Sequence, residues 1–349
     1  MRLLLTADPE IEVPPRLYGG IERIVDVLVR RLRAAGHTVG LVARPGSECP
    51  NDAFFPWPGL SSLSRRDTVL NTFALSRAVR AFRPDVVHSF SRIAYLLPLL
   101  RGSIPLIMSF QREPTPRTVG LAVRLAAPGR LTFTGCSDYI ARRGRPAGGE
   151  WHGIPNFADT EGLTLGPAVP DDAPLVFLSR VEEIKGAHWA IEIARRTGRR
   201  LIIAGNHSDR NDPEGEFWRR KIAPEIGKGG IEYVGPVDDV QKSALLGQAR
   251  AMVVPIQWDE PFGIVFAESL ACGAPVVSCP RGALPEIVRP GVDGFLIKSI
   301  EEGCEAVDRV GALDRTECRR RAVEHFSADA VVARYLALYS KVRARLVQS

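Results

Sequence analysis

The sequence predicts an α/β protein built from two doubly wound parallel-sheet domains. Three observations carry that reading. Short aliphatic or β-branched runs alternate with helical periodicities along the chain. The length of 349 residues is enough for about two domains. Residues Thr160–Pro174 are rich in Gly, Pro and Asp with little apolar periodicity, and they divide the alternation into two halves. The expected division is an N-terminal domain over 1–160, a C-terminal domain over 161–326 and a closing helix over 327–349.

In the first half, Arg2–Ala7 reads as a buried strand, and Gly19-Gly20 follow a long Pro-bearing loop. Apolar residues at 21, 24, 25, 28, 29 and 32 make one helical face that Gly36 stops, and Thr38–Ala43 is the next strand. This β-α-β unit carries its glycines before the helix, where a phosphate-facing turn needs them. Asp67–Phe82 reads as a helix ended by Pro84. Asp85–Ser89, Pro105–Ser109 and Leu131–Cys136 read as strands, and Ser137 caps a short helix begun by Asp138.

In the second half, strands are expected at Leu175–Leu178, Arg200–Ala204, Ile231–Val234 and Ala251–Pro255, with helices over 186–197 and 239–249. Residues 206–230 are a polar insertion with a short helix around Glu216–Ile226. Ser327–Arg345 is a final amphipathic helix.

Composition excludes several classes. Apolar content of 45% and charged content of 25% are those of a globular protein. MRLLLTA is too short for a signal segment and meets Asp8 and Glu10 at once, and no apolar run is long enough to span a bilayer. The six cysteines form no C-x2-C pair and no zinc spacing, which predicts a reduced cytoplasmic protein with structural thiols. The net charge of +6 is uneven: residues 1–160 hold 21 Arg, no Lys and 13 acids. That basic half is either a solvated arginine-rich surface or an attraction to an anionic acceptor or membrane face. The second option would make the protein peripheral on the inner face of the membrane. Aromatics interleaved with the bases are missing, so nucleic acid is not an expected partner.

The chemistry concentrates in residues 253–286, VVPIQWDEPFGIVFAESLACGAPVVSCPRGALPE. A β-branched run ends in a loop, a short helix follows over Ile264–Cys272, and Gly273 stands where a left-handed C′ residue is wanted. Such a helix N-terminus offers unpaired N–H groups and partial positive charge to an anion, and Gly263 allows close approach. Glu260 at the mouth and Glu268 about two turns on suit a ligand with hydroxyls beside phosphates, the form of a nucleotide sugar. Upstream, Arg180 and Lys185-Gly186 follow a strand and place a guanidinium and an ammonium at the same sheet edge.

EPFGIVFAESLACGAPVV resembles the signature of the retaining GT-B glycosyltransferases of family 4, as do the R-x4-KG of 180–186, YGGIERIV around Gly19 and Gly20, DVVH at 85–88, and IPNFAD at 154–159. The resemblance implies the GT-B fold: two Rossmann-like domains with a cleft between them and a C-terminal helix crossing back to the first. It implies transfer of a hexose-type sugar from a nucleoside diphosphate, UDP- or GDP-linked, to a small-molecule, glycan or lipid-linked acceptor.

It also implies roles. Arg180 and Lys185 would neutralise the leaving diphosphate, so that no metal or other cofactor is needed. Gly19 and Gly20 would lie beside the donor phosphates, Glu268 would hold the ribose hydroxyls and Glu260 those of the transferred sugar. The loop and helix start at Pro261, Phe262, Gly263, Ile264 and Val265 would meet sugar oxygens and diphosphate through backbone N–H groups. The base would lie against the turn of Val234, Gly235, Pro236 and Val237. His88 has two readings, a structural histidine or a contact to acceptor or donor sugar. The chain departs from the family pattern after the PLIMS strand: Gln111 stands where a histidine is usual, and an amide can hydrogen-bond a sugar but cannot titrate. Two other classes stay open, a non-hydrolysing nucleotide-sugar epimerase or phosphorylase-like enzyme, and a nucleotide-sugar-binding protein without turnover.

Overall fold

The computed structural model describes residues 1–16 and 19–347. Tyr18 of the glycine-pair motif and the last two residues of the expected closing helix lie outside the described residues. Two compact units make up the chain: residues 1–156 with the C-terminal helix, and residues 157–327.

The first unit runs β1 (Arg2–Thr6), α1 (Gly20–Ala34), β2 (Thr38–Ala43), β3 (Ala53–Pro56), α2 (Arg65–Phe82), β4 (Val86–Ser89), β5 (Leu106–Phe110), α3 (Pro116–Leu125), β6 (Leu131–Gly135), α4 (Asp138–Gly144) and β7 (Glu150–Gly153). Its seven strands form one parallel sheet in the order β3-β2-β1-β4-β5-β6-β7. Central strands are apolar on both faces, as helices on either side of a parallel sheet require, and Leu3, Leu4, Leu5, Val86 and Val87 are all buried. Three elements were not foreseen. β3 is a half-exposed edge strand ending in Pro56, and β7 (EWHG) carries no strand pattern. In α3, Pro116 and Gly120 hide the periodicity, although Pro116 occupies the first turn, where proline is tolerated.

The second unit runs β8 (Leu175–Leu178), α5 (Ala187–Thr197), β9 (Leu201–Ala204), α6 (Pro213–Phe217), β10 (Ile231–Gly235), α7 (Asp239–Gln248), β11 (Ala251–Val253), α8 (Ile264–Ala271), β12 (Val276–Ser278), α9 (Leu284–Ile287), β13 (Gly294–Leu296), α10 (Ile300–Arg309) and α11 (Arg315–Phe326). Six parallel strands lie in the order β10-β9-β8-β11-β12-β13. The insertion helix starts earlier than expected, because Asp212 caps it and Pro213 fills its first position. It continues through a wide turn over Trp218–Ile222.

The last helix, α12 (Ala328–Val347), belongs to the first unit. Val331, Val332, Tyr335, Leu338, Tyr339 and Val342 form its buried stripe at helical spacing. Lys341 and Arg345 both donate to Glu150 of β7, and Arg345 chiefly holds that carboxyl down at about 2. No helix among the described residues is long and apolar enough to cross a membrane.

Candidate functional site

Each sheet reverses its strand order once, between β1 and β4 in the first unit and between β8 and β11 in the second. Connections leaving two such neighbours go to opposite faces, so a crevice opens at their C-terminal ends. In the second unit the segments that follow are 179–186 after β8 and 254–263 after β11, which carry Arg180, Lys185 and Glu260.

These two loops are joined closely. Gln257 N donates to Ile184 O at 2.7 Å. A Cβ on Gly186 would stand 2.1 Å from Pro255 O, and Gly186 has φ of +80°, so only glycine fits this approach. The join brings Lys185 Nζ to 2.6 Å from Glu260 Oε2, with side chains 9% and 13% exposed. Trp258 Nε1 donates to the same oxygen at 3.0 Å, and the ammonium lies 4.7 Å from the Trp258 ring centre. On the far side, Ala283 N donates to Glu260 O.

Gly263 starts α8 from the left-handed region, at φ of +84°, and no side chain caps that end. The first N–H groups of the helix keep their capacity for an external acceptor. Phe262 is buried and packs on Phe326 at 5.7 Å between ring centres, so this loop offers a ligand its backbone rather than its ring. Pro261, Ile264 and Val265 are partly exposed beside it.

Glu268 lies one face further along α8 and meets Lys242 from α7, Nζ to Oε1 at 2.6 Å, with side chains 16% and 14% exposed. Lys242 also reaches Asp239 at 2.9 Å. Burial opposes the ammonium, but Glu268 and Asp239 outweigh it and raise the Lys242 pKa. Arg180 is half exposed and donates to Glu182 on its own loop rather than joining the Lys185 pair. The turn Val234-Gly235-Pro236-Val237 leaves the end of β10. Val234 is half exposed, and Gly235 O accepts from Gly205 N at 2.9 Å. Tyr233 beside it bonds Gly205 O at 2.8 Å and packs on Trp218, which itself stacks on His207 at 3.9 Å.

In the first unit, Gly19 caps α1 and Gly20 begins it. A Cβ on Gly19 would stand 2.6 Å from Pro15 and 2.9 Å from Glu22 Oε2. His88 corrects the ligand-facing reading. Its ring is buried between the sheet and α12, with Nδ1 2.7 Å from Tyr339 Oη and Nε2 2.6 Å from Ser109 Oγ. Burial pushes its pKa down to about 3, so it is a neutral core histidine with both nitrogens occupied. Gln111, directly after β5, differs: its Nε2 is buried and has no hydrogen-bond partner.

Comparison with known sequences covers both halves. The profile described as Glycosyltransferase Family 4 matches residues 18–161, and that described as Glycosyl transferases group 1 matches residues 173–312. The chain belongs to the family 4 glycosyltransferases. D-inositol 3-phosphate glycosyltransferases of Mycobacterium tuberculosis and Mycobacterium bovis are 30% identical over 146 residues, 40% of this chain. The match spans 30% of those relatives' length. Among solved structures, AviGT4, a glycosyltransferase involved in avilamycin A biosynthesis, is 24% identical with a TM-score of 0.70 over 98% of each chain. Sucrose-phosphate synthase of Thermosynechococcus elongatus is 19% identical with a TM-score of 0.77 over 99% of each. HepE of Anabaena, in complex with UDP-glucose, is 19% identical with a TM-score of 0.70 over 97% of this chain and 99% of that one. At these identities the structures establish the shared GT-B fold.

Within this family 4 chain, sequence reasoning found both glutamates but missed their partners. Trp258 stands two residues before Glu260, and its indole N–H gave no signal in the sequence. Lys242 lies 26 residues from Glu268, a separation at which only the fold pairs them. Gly282 was also missed: its Cβ would stand 2.1 Å from Glu260 O, so this glycine lets the 280–283 loop support the glutamate. No cluster of three or more His, Cys, Asp or Glu that could hold a metal ion occurs among the described residues.

Proposed function

We propose that this chain is a retaining glycosyltransferase that works without a divalent metal. It moves a hexose-type sugar from a UDP- or GDP-linked donor to an acceptor hydroxyl. The observation that carries the reading is the Lys185–Glu260–Trp258 cluster beside the uncapped N-terminus of α8, at the reversal of the second sheet. A cation and a helix end suit a diphosphate, and one glutamate in the loop before that helix and one within it suit the hydroxyls on either side. The UDP-glucose complex of HepE, of the same fold, supports a UDP-linked donor.

On this reading Lys185, Arg180 and α8 take up charge as the diphosphate leaves. Arg180 turns from Glu182 to do so. The departing phosphate accepts the acceptor proton on the same face of the sugar, and the configuration is kept. A covalent sugar–enzyme intermediate would need a free carboxylate. Asp8, Glu10 and Glu113 are carboxylates that follow strands of the first unit; Glu10 is taken by Ser62 and Glu113 by Arg143, while burial raises the Asp8 pKa. Gln111, with its unpartnered amide, supplies one neutral hydrogen bond to a sugar hydroxyl.

The acceptor is small, a glycan or lipid-linked. The lipid-linked option has one supporting observation: Val69, Leu70 and Phe73 are exposed on α2 among Arg65, Arg66, Arg77 and Arg80, a face suited to an anionic bilayer.

A thermal-shift screen with UDP-, GDP-, ADP- and TDP-sugars tests the reading. A donor at a hundred times its Kd adds about 2.7 kcal/mol to the folded state. A shift with one base and none with the others supports it, and no shift with any sugar nucleotide overturns it.

A further inference from the structure

The two glutamates of the α8 segment are each held by a lysine from a different part of the chain. Lys185, which holds Glu260, belongs to the recognised motif. Lys242, which holds Glu268, belongs to no motif and is unassigned by the reading above. It sits one turn into α7, the helix that begins directly after the turn at Val234–Val237. Asp238 caps that helix through Gln241 N, and the Gln241 side chain returns to Asp238 N, so the start of α7 is fixed by a reciprocal pair.

From this fixed start the Lys242 side chain crosses to α8 and gives hydrogen bonds to Asp239 Oδ1 at 2.9 Å and Glu268 Oε1 at 2.6 Å. Its side chain is 16% exposed. A lysine on a solvated helix face has no need to be held in this way.

We propose that Lys242 is the positioning residue for ribose recognition: it pins one oxygen of Glu268 so that the other is presented to the ribose hydroxyls. This rests on the donor reading above, in which Glu268 meets the ribose. A carboxylate held by one oxygen cannot rotate away, so its second oxygen is pre-aimed and the ligand does not bear the cost of ordering it. The ammonium also balances a carboxylate that would otherwise face a diphosphate bearing the same sign. Because α7 and the Val234–Val237 turn are continuous, the same helix ties the base-side turn to the ribose-side carboxylate. Lys242 acts through Glu268 and is not itself a group that touches the reacting atoms.

The experiment compares affinities for UDP and 2′,3′-dideoxy-UDP, and for GDP and 2′,3′-dideoxy-GDP, by titration calorimetry. It uses the full chain, Lys242→Met and Lys242→Arg, with thermal midpoints measured alongside. The wild type is expected to prefer one hydroxylated nucleotide by at least about tenfold, the effect of about 1.4 kcal/mol. Lys242→Met is expected to bring that preference to within about twofold while affinity for the dideoxy nucleotide stays as it was, and Lys242→Arg to restore part of it.

A lysine with a merely structural role would lower the thermal midpoint and both affinities together, leaving the preference intact, and that result overturns the assignment. Tighter hydroxylated-nucleotide binding by Lys242→Met also overturns it, since Lys242 would then compete with the ribose. A wild type that binds neither nucleotide overturns the donor reading itself. A wild type that binds but ignores the hydroxyls overturns only the ribose role of Glu268 and the positioning role built on it.

Discussion

Replacing Lys185 by methionine keeps most of the side-chain volume and removes the ammonium 2.6 Å from Glu260 Oε2. The carboxylate left behind is 13% exposed and retains Trp258 Nε1 at 3.0 Å as a donor. Breaking a buried ion pair from one side costs about 3–5 kcal/mol, whereas an exposed pair is worth about 0–1 kcal/mol. Side chains 9% and 13% exposed lie near the buried limit, and the open loop edge moves the figure down somewhat. A loss of about 2–4 kcal/mol follows. In a unit of this size each kcal/mol moves Tm by about 2–4 °C, so the second unit should melt roughly 5–10 °C lower. Thermal and urea unfolding of Lys185→Met, Glu260→Gln and the double variant measure it. The double variant should recover most of the loss, because it no longer buries an orphaned charge. A single variant within about 1 °C of wild type, or a double variant showing the plain sum of both losses, would refute the reasoning.

Three further outcomes follow from the same geometry. On the proposed function, in which Glu268 meets the ribose and Glu260 the transferred sugar, Glu268→Ala should mainly weaken binding of the bare nucleoside diphosphate and Glu260→Ala should mainly lower turnover. Equal loss of nucleotide affinity in both, measured by calorimetry, contradicts this division. Gly186→Ala should destabilise the second unit by on the order of 2 kcal/mol or more, because its Cβ would meet Pro255 O and its φ of +80° is strained for alanine. A urea midpoint equal to wild type speaks against the loop join. His88 is neutral in the folded chain, with a pKa of about 3 against 6.5 ordinarily. Its contribution is therefore full above pH 6.5 and is lost as pH falls from 6.5 toward 3, where only the unfolded chain takes up the proton. The slope it adds is up to about 1.4 kcal/mol per pH unit, and His88→Gln should flatten the fall in urea midpoint between pH 7 and pH 4. An unchanged slope would place the titration elsewhere.

The sheet strands and the α8 segment were legible because their signals are local. Leu3–Leu5 and Val276–Val277 are apolar runs bounded by turn residues, and Gly263 and Gly273 mark the two ends of α8, both with positive φ. Ser137 and Asp238 cap α4 and α7 as their positions before the helices suggest. The edge strands β3 and β7 were not legible, since half-exposed strands of four residues carry little pattern.

His88 keeps two readings in the sequence because a polar residue in a DVVH strand suits a strand-end ligand contact as well as a core histidine. Only the arrival of Tyr339, 251 residues later, shows that it is a satisfied core group. The partners of the glutamates were hidden for the same reason. Lys185 meets Glu260 across 75 residues and Lys242 meets Glu268 across 26, and side-chain pairing at such distances is a property of the packed chain.

The proposed reaction is transfer of a sugar from a nucleotide donor at the Lys185–Glu260 cluster, with retention and without a metal. Proton NMR of donor turnover in the absence of acceptor tests it most directly, with water as the slow acceptor and excess EDTA present. The account predicts that wild type releases nucleoside diphosphate and, as the first-formed product from UDP-glucose or GDP-mannose, the α-anomer of the free sugar. Lys185→Met should do neither at a measurable rate, even at temperatures where it remains folded. A β-anomer as first product, release that stops in EDTA and returns with Mg²⁺, or equal turnover by Lys185→Met would each contradict the account.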